Sequence, residues 1–172
     1  KTSGSYGTAR VKMQKFVFGI EEIEEIHKSR TGGKALCLAK LFEAGFVVPD
    51  MICVATECYD AFCDGTGLRE RIMLELSRKD FSDMRWEEIW DAALRIRNMF
   101  ATTSFPETLF SELRDPIWKR FSGSPVAVRS SAPGEDDRSS SFAGLHESFI
   151  NVSGIESILE HIKLVWASLW SD

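Results

Sequence analysis

The sequence predicts an α/β protein with a mainly helical middle. Three features carry that expectation. Short apolar runs rich in Val, Ile and Phe lie at 16–20, 46–55, 125–128 and 148–152. Residues 57–122 show helical spacing of apolar positions. Residues 155–170 close the chain with Ile155, Ile158, Leu159, Ile162, Trp166, Leu169 and Trp170 at a near-ideal helical period. With 172 residues, 44% hydrophobic and 27% charged, the chain is long enough to bury a sizeable core. That composition excludes a disordered, collagen-like or coiled-coil chain.

The elements follow in order. Residues 1–14, small and polar at their start, read as a flexible arm, and 15–172 as one folded portion. Phe16–Ile20 reads as a strand. Ile20, Ile23 and Ile26, with four glutamates before His27-Lys28, suit a short helix whose charges match its dipole. Thr31-Gly32-Gly33 breaks it. A second helix starts near Lys34, turns Leu38, Leu41 and Phe42 to one side and stops at Gly45. Phe46–Ala55, interrupted by Pro49-Asp50, reads as strand, turn, strand. Glu57–Cys63 and Leu68–Ser77 are short helices divided by Asp64-Gly65-Thr66-Gly67. Arg85–Phe100 follows, with Trp86, Ile89, Trp90, Ala93 and Phe100 as its inner face. Pro106 opens a further helix, and Asp115-Pro116 reads as a point where it restarts. Pro125–Val128 and Ser148–Val152 are strands flanking a loop dense in Ser, Gly, Pro and Asp.

Charge and composition narrow the function. With 21 basic and 26 acidic residues the net charge is −5, which argues against a generic nucleic-acid binder. Asn98–Pro106 is the longest stretch without a charge, far short of the roughly 20 apolar residues of a membrane-spanning helix. No apolar signal-like run follows the N-terminus, so the chain reads as soluble and cytoplasmic. Cys37, Cys53, Cys58 and Cys63 contain no C-x-x-C pair, so they read as buried reduced thiols rather than zinc ligands.

Two segments call for more than packing. Thr31-Gly32-Gly33-Lys34 sets two glycines and a lysine at a helix start, where unbonded N–H groups favour phosphate. It is not a Walker A loop, because Lys28 and Ala35 stand where that motif needs Gly and Ser or Thr. A helix C-cap followed by a surface lysine is the plainer alternative. The second segment, Val126-Ala127-Val128-Arg129-Ser130-Ser131-Ala132-Pro133-Gly134-Glu135-Asp136, delivers an arginine to a strand end and follows it with hydroxyls. Arg can fork onto phosphate oxygens, and hydroxyls and amides can complete the cradle. On chemistry alone, a solvated connection with Arg129 paired to a nearby acid stays equally open.

Taken together the two segments resemble the N-terminal nucleotide-binding (ATP-grasp) part of the phosphoenolpyruvate synthase and pyruvate phosphate dikinase family, which includes rifampicin phosphotransferases. The likeness rests on Thr31–Leu38, Ala44–Pro49, Thr56–Phe62, the Val126–Asp136 string, and Ser141-Phe142-Ala143-Gly144 with Glu147–Val152. It runs from about Phe16 to Asp172. Departures are Ala35 for a usual Gly or Asn, Asp50-Met51 for Pro-Gly or Asn-Gly, Leu145-His146 for Gln-Gln, and Ser148 for a frequent Thr. The resemblance implies an ATP-grasp fold, with 125–152 forming a strand-loop-strand flap over the phosphates. It implies Lys34 and Arg129 as phosphate ligands of catalytic importance, and Gly32, Gly33, Ser130, Gly144 and Ser148 lining the same end. It implies ATP with Mg2+, the metal ligands lying downstream of this chain. It also implies downstream phosphohistidine and pyruvate-binding domains as partners. None of His27, His146 and His161 sits in a phosphohistidine motif.

Overall fold

The computed structural model describes residues 15–131 and 147–170. The arm expected over 1–14, and the part of the expected flap that carries Gly144, lie outside the described residues. Strand β1 (Val17–Gly19) is short and wholly buried. It pairs antiparallel with β2 (Ile52–Val54), Phe18 opposite Cys53. Two 3-10 turns, Ile20–Glu22 and Glu25–His27, stand where one short helix was expected. The chain is extended between them because Glu22 folds back to accept the Gly19 amide at 2.8 Å. His27 Nδ1 likewise accepts the Glu24 amide at 3.1 Å. Ile20 and Ile23 are buried, but Ile26 points out.

Helix α1 runs Lys28–Glu43 and is broken at Gly32, whose φ of 78° and ψ of 170° are non-helical. The inner face of α1 is Ala35, Leu36 and Ala39, whereas Leu41 and Phe42 of the expected face are exposed. No strand forms at Phe46–Val48, and Val47 lies fully in solvent. Helices α2 (Thr56–Gly65), α3 (Leu68–Leu76), α4 (Trp86–Thr102) and α5 (Glu107–Phe121) make up the helical middle. Pro116 does not restart α5; it sits inside one continuous helix. Leu109, Leu113 and Ile117, one turn apart and buried, hold both sides of it against the core. In α4 the buried residues are Ala92, Ile96 and Phe100, a four-residue spacing that turns Trp86 and Trp90 outward.

Strands β3 (Val126–Arg129) and β4 (Ser148–Val152) form a second antiparallel pair, with Arg129 opposite Ser148. Val126 and Val128 face Val152 and Phe149, so β4 carries one extra residue. Asn151, at φ 60°, occupies that stretch in the left-handed region that Asn tolerates. Helix α6 (Ile155–Ala167) lies against both strands and against α4, and a 3-10 turn over Ser168–Trp170 ends the described chain. Buried Lys163 of α6 donates to the carbonyls of Ala101 and Thr103, capping the negative end of α4.

Two apolar clusters result. The larger gathers α2–α6 around Phe62, Phe100, Leu113 and Leu159, with Phe149, Val126 and Val128 packed onto it. The Phe62 ring meets Phe100, Phe105 and Trp166 at centroid separations of 5.0–6.2 Å. The smaller lies beneath α1 and joins Phe18, Ile20, Ile23, Ala35, Leu36, Ala39 and Cys53. Of the four cysteines Cys37 is exposed, contrary to expectation, because it falls on the outer side of α1. Burial pushes the Cys53 and Cys58 thiols up to about 12 and Cys63 to about 11, so all three stay protonated near neutral pH.

The assignment of faces can be checked by paired truncations. Phe62→Ala, at a fully buried ring, should cost roughly 3–5 kcal/mol in urea unfolding. Trp86→Ala, at a side chain 72% exposed, should stay within about 0.5 kcal/mol of the parent chain. Equal losses would mean that α4 is turned the other way.

Candidate functional site

The break in α1 is the local event on which the site is built. A residue at φ 78° and ψ 170° is outside the range of ordinary side chains, and glycine is at home there. Past Gly32 the helix starts anew: Gly33, Lys34 and Ala35 are its first three helical positions, with amides that lack partners inside the helix. On the other side of the break, the Thr31 carbonyl has lost its own helical partner. Thr31 is fixed by its hydroxyl, which donates to the His27 carbonyl at 3.0 Å, and by its burial.

Ser131 closes this break from 100 residues away. Its hydroxyl donates to the Thr31 carbonyl at 2.8 Å and accepts the Ala35 amide at 3.0 Å. Its backbone crosses directly over Gly32. A Cβ added at Gly32 would fall on the Ser131 carbonyl oxygen, so the crossing needs hydrogen there. Cys53 also points its thiol at the Thr31 carbonyl, at 3.5 Å.

Around the break, Arg30 anchors the outer half of α1. It donates to the Lys15 carbonyl at 2.9 Å, pairs with Glu57 at the start of α2, and lies over the Phe18 ring at 4.8 Å. The hairpin is anchored at its other end. Arg97 of α4 pairs with Glu147 at 2.7 Å, and the Glu147 amide donates to Ser168 Oγ at 3.3 Å. Ser148, the next residue, is thereby set opposite Arg129. A third tie is Arg120 of α5, which bridges Glu21 at 2.8 Å and Asp50 at 2.6 Å. The Arg120 guanidinium holds the Glu21 carboxyl below its ordinary range.

The predicted site residues fall into two groups joined by Ser131. Gly32, Gly33 and Lys34 lie on the α1 break, Gly32 buried and Lys34 exposed. Arg129 is the last residue of β3 and exposed, with Ser148 beside it and Ser130 buried just beyond. Gly144 lies outside the described residues. Ser131, which makes the junction, is not among the residues singled out from the sequence; its signal there was only that it adjoins Ser130 in the same hydroxyl-bearing string. Glu135, Asp136 and Asp137, the acids near Arg129 in sequence, also lie outside the described residues.

Charge sets α1 apart. Among the described residues, α2, α3, α4, α5 and α6 each carry a glutamate in the first turn: Glu57, Glu70, Glu87 with Glu88, Glu107 and Glu156. That is where a helix dipole favours an acid. Helix α1 has none, and its inner start carries Lys34 instead, a cation at the positive end. A cation at the positive end is the reverse of the placement that the dipole favours. Elsewhere, a hollow of about 90 Å³ lies among Tyr59, Cys63, Arg69, Ile72, Met73, Leu76 and Trp170. It is well below the roughly 300–1,000 Å³ of ordinary ligand pockets and contains none of these cations. No helix among the described residues is long and apolar enough to cross a membrane, and no three His, Cys, Asp or Glu side chains there gather as a metal site.

Residues 28–172 match the family described as pyruvate phosphate dikinase, AMP/ATP-binding domain. The chain is 34% identical over 164 residues to a probable phosphoenolpyruvate synthase of Methanothermobacter thermautotrophicus, covering 92% of this chain and 24% of that protein. It is 34% identical over 167 residues to the phosphoenolpyruvate synthase of Neisseria meningitidis, covering 91% and 21%. It is 30% identical over 161 residues to a rifampicin phosphotransferase of Bacillus subtilis, covering 93% and 18%. The chain thus spans about a fifth to a quarter of the length of these curated relatives.

The backbone crossing makes a quantitative demand on Gly32. Gly45 also has positive φ, at 84°, but a Cβ there would meet nothing within 4 Å. Gly45→Ala should therefore cost only about 1–2 kcal/mol of conformational strain. Gly32→Ala adds the overlap with Ser131 to strain of about 1–3 kcal/mol, and should be the more costly of the two. Urea unfolding of both variants decides it; equal costs would show that the crossing yields freely.

Proposed function

The chain belongs to the pyruvate phosphate dikinase AMP/ATP-binding domain family, and on that membership we propose that it forms part of the ATP-grasp site of a phosphoenolpyruvate synthase-like dikinase. The observation that carries this reading is the reversed charge at α1. Lys34 stands at a helix start where the other described α-helices place glutamate, and one serine links that turn to the strand end bearing Arg129. A triphosphate carries negative charge suited to a helix start and to both cations. Lys34 would hold phosphate as a point charge, and Arg129 would hold it with a planar fork. Gly32 and Gly33 allow close backbone approach, while Ser130, Ser148 and Gly144 complete the phosphate end.

When bound, ATP supplies the phosphoryl group. The part played by these residues is binding and orientation, which is most of what phosphoryl transfer asks of a protein. Magnesium would accompany the triphosphate, with its carboxylate ligands on a further part of the parent protein, as the family resemblance implies. The parent would be a cytoplasmic enzyme. It would convert ATP, pyruvate and water to AMP, phosphoenolpyruvate and phosphate, through a phosphohistidine on a downstream domain and a pyruvate site beyond it. A second reading replaces pyruvate with an antibiotic or another small-molecule acceptor. It is favoured by the similar identity of 30% to the B. subtilis rifampicin phosphotransferase, and the acceptor site is no part of the geometry described above.

Two outcomes test the proposal. Titration calorimetry with Mg-ATP should find weak binding that needs Arg129. Arg129→Ala removes hydrogen bonds to a charged partner, worth about 1.5–3 kcal/mol, or roughly 10- to 150-fold in affinity. Arg129→Lys should recover only part. Affinity equal with and without Arg129 would contradict the assignment. Separately, the purified 172-residue chain should form no AMP in a pyruvate-dependent coupled assay, because the phosphohistidine and acceptor would lie on other domains.

A further inference from the structure

We propose that Ser131 is a positioning residue. Its hydroxyl caps the inner half of α1 from across the chain, and so holds the Lys34 turn and the Arg129 strand end at one spacing. A helix normally satisfies its first amides with the side chain of its own N-cap residue, which reaches the second or third helical position. Here the N-cap position is Gly32, which has no side chain to offer. Ser131 Oγ accepts the amide of Ala35, the third helical position, at 3.0 Å. The same oxygen donates its one proton to the Thr31 carbonyl at 2.8 Å. One hydroxyl therefore satisfies a donor and an acceptor orphaned on opposite sides of the break, and its own proton is committed.

The lever arms are short. Arg129 is two residues before Ser131, which places its Cα within about 7 Å along the chain. Lys34 directly precedes Ala35. A shift of Ser131 by one hydrogen bond is thus passed to both cations. The glycine and the serine form one device: Gly32 lets the Ser131 backbone cross, and Ser131 supplies the cap that Gly32 cannot.

The positioning role rests on the phosphate reading of Lys34 and Arg129, whereas the clip itself can be tested without nucleotide. The 172-residue chain would be compared with Ser131→Ala and Ser131→Thr by amide exchange in NMR and by Mg-ATP calorimetry. In Ser131→Ala the Ala35 amide should exchange about 2- to 30-fold faster, the range a lost N-cap produces. The amide of Phe100, in the core of α4, should be unchanged. Mg-ATP affinity should fall by a similar factor, and Ser131→Thr, which keeps the hydroxyl, should restore both. Unchanged Ala35 exchange in Ser131→Ala overturns the clip. Faster exchange at Ala35 with unaltered Mg-ATP affinity overturns the positioning role. Equal acceleration at Ala35 and Phe100 also overturns it, by showing that the hydroxyl serves the whole fold. A parent chain that binds no Mg-ATP would contradict the phosphate reading, and the exchange measurement would then still decide the clip.

Discussion

The Ser131 backbone fills the space that a side chain at Gly32 would need, and the rest of the site follows from that crossing. A continuous α1 would carry Lys34 mid-helix, with every nearby amide spent on the helix itself. Breaking the helix at a residue without Cβ creates a second N-terminus within it and admits the chain that leaves β3. A break inside folded structure leaves unpaired polar groups, which typically cost about 1–3 kcal/mol each. The Ser131 hydroxyl meets that cost on both sides of the break. Local backbone geometry brings together two segments a hundred residues apart.

The two apolar clusters hold the partners of the crossing from opposite sides. Phe18, Ile20, Ala35, Leu36 and Ala39 fix α1 over the first strand pair. Phe149, Val126 and Val128 hold the second pair on the helical core. Three arginines bridge what these clusters leave loose: Arg30 ties α1 to α2, Arg97 ties α4 to the entry of β4, and Arg120 ties α5 to Glu21 and Asp50. Each is at least partly exposed, so these pairs set register more than they add stability. Arg129, in contrast, takes no acidic partner among the described residues.

The sequence showed the break in α1 and the strand that ends in Arg129 better than it showed the helix faces. The glycine pair marked the break in α1 because no other residue takes that backbone cheaply, and an apolar strand ending in arginine marked the other half. Which serine would act was not legible: Ser130 and Ser131 have the same chemistry, and the choice depends on how the chain leaves β3. In α4 the helical spacing of Trp86, Ile89, Trp90, Ala93 and Phe100 suggested an inner face, yet Ala92 and Ile96 lie inward with Phe100. Close approach of neighbouring helices selects the small residue. Ile26, Leu41 and Phe42 misled in the same way, since apolar spacing of three or four does not say which side meets the core. Pro116 read as a restart because its cost is local; the buried residues on both sides of it outweigh that cost.

The central claim is that Lys34 and Arg129 serve one anion. A crystal structure of the 172-residue chain with magnesium and a non-hydrolysable ATP analogue tests it most directly. Phosphate oxygens are expected within hydrogen-bonding distance of both Lys34 Nζ and the Arg129 guanidinium, with Ser131 still bonded to Thr31 and Ala35. A nucleotide that touches only one of the two cations, or that settles elsewhere on the chain, would contradict it.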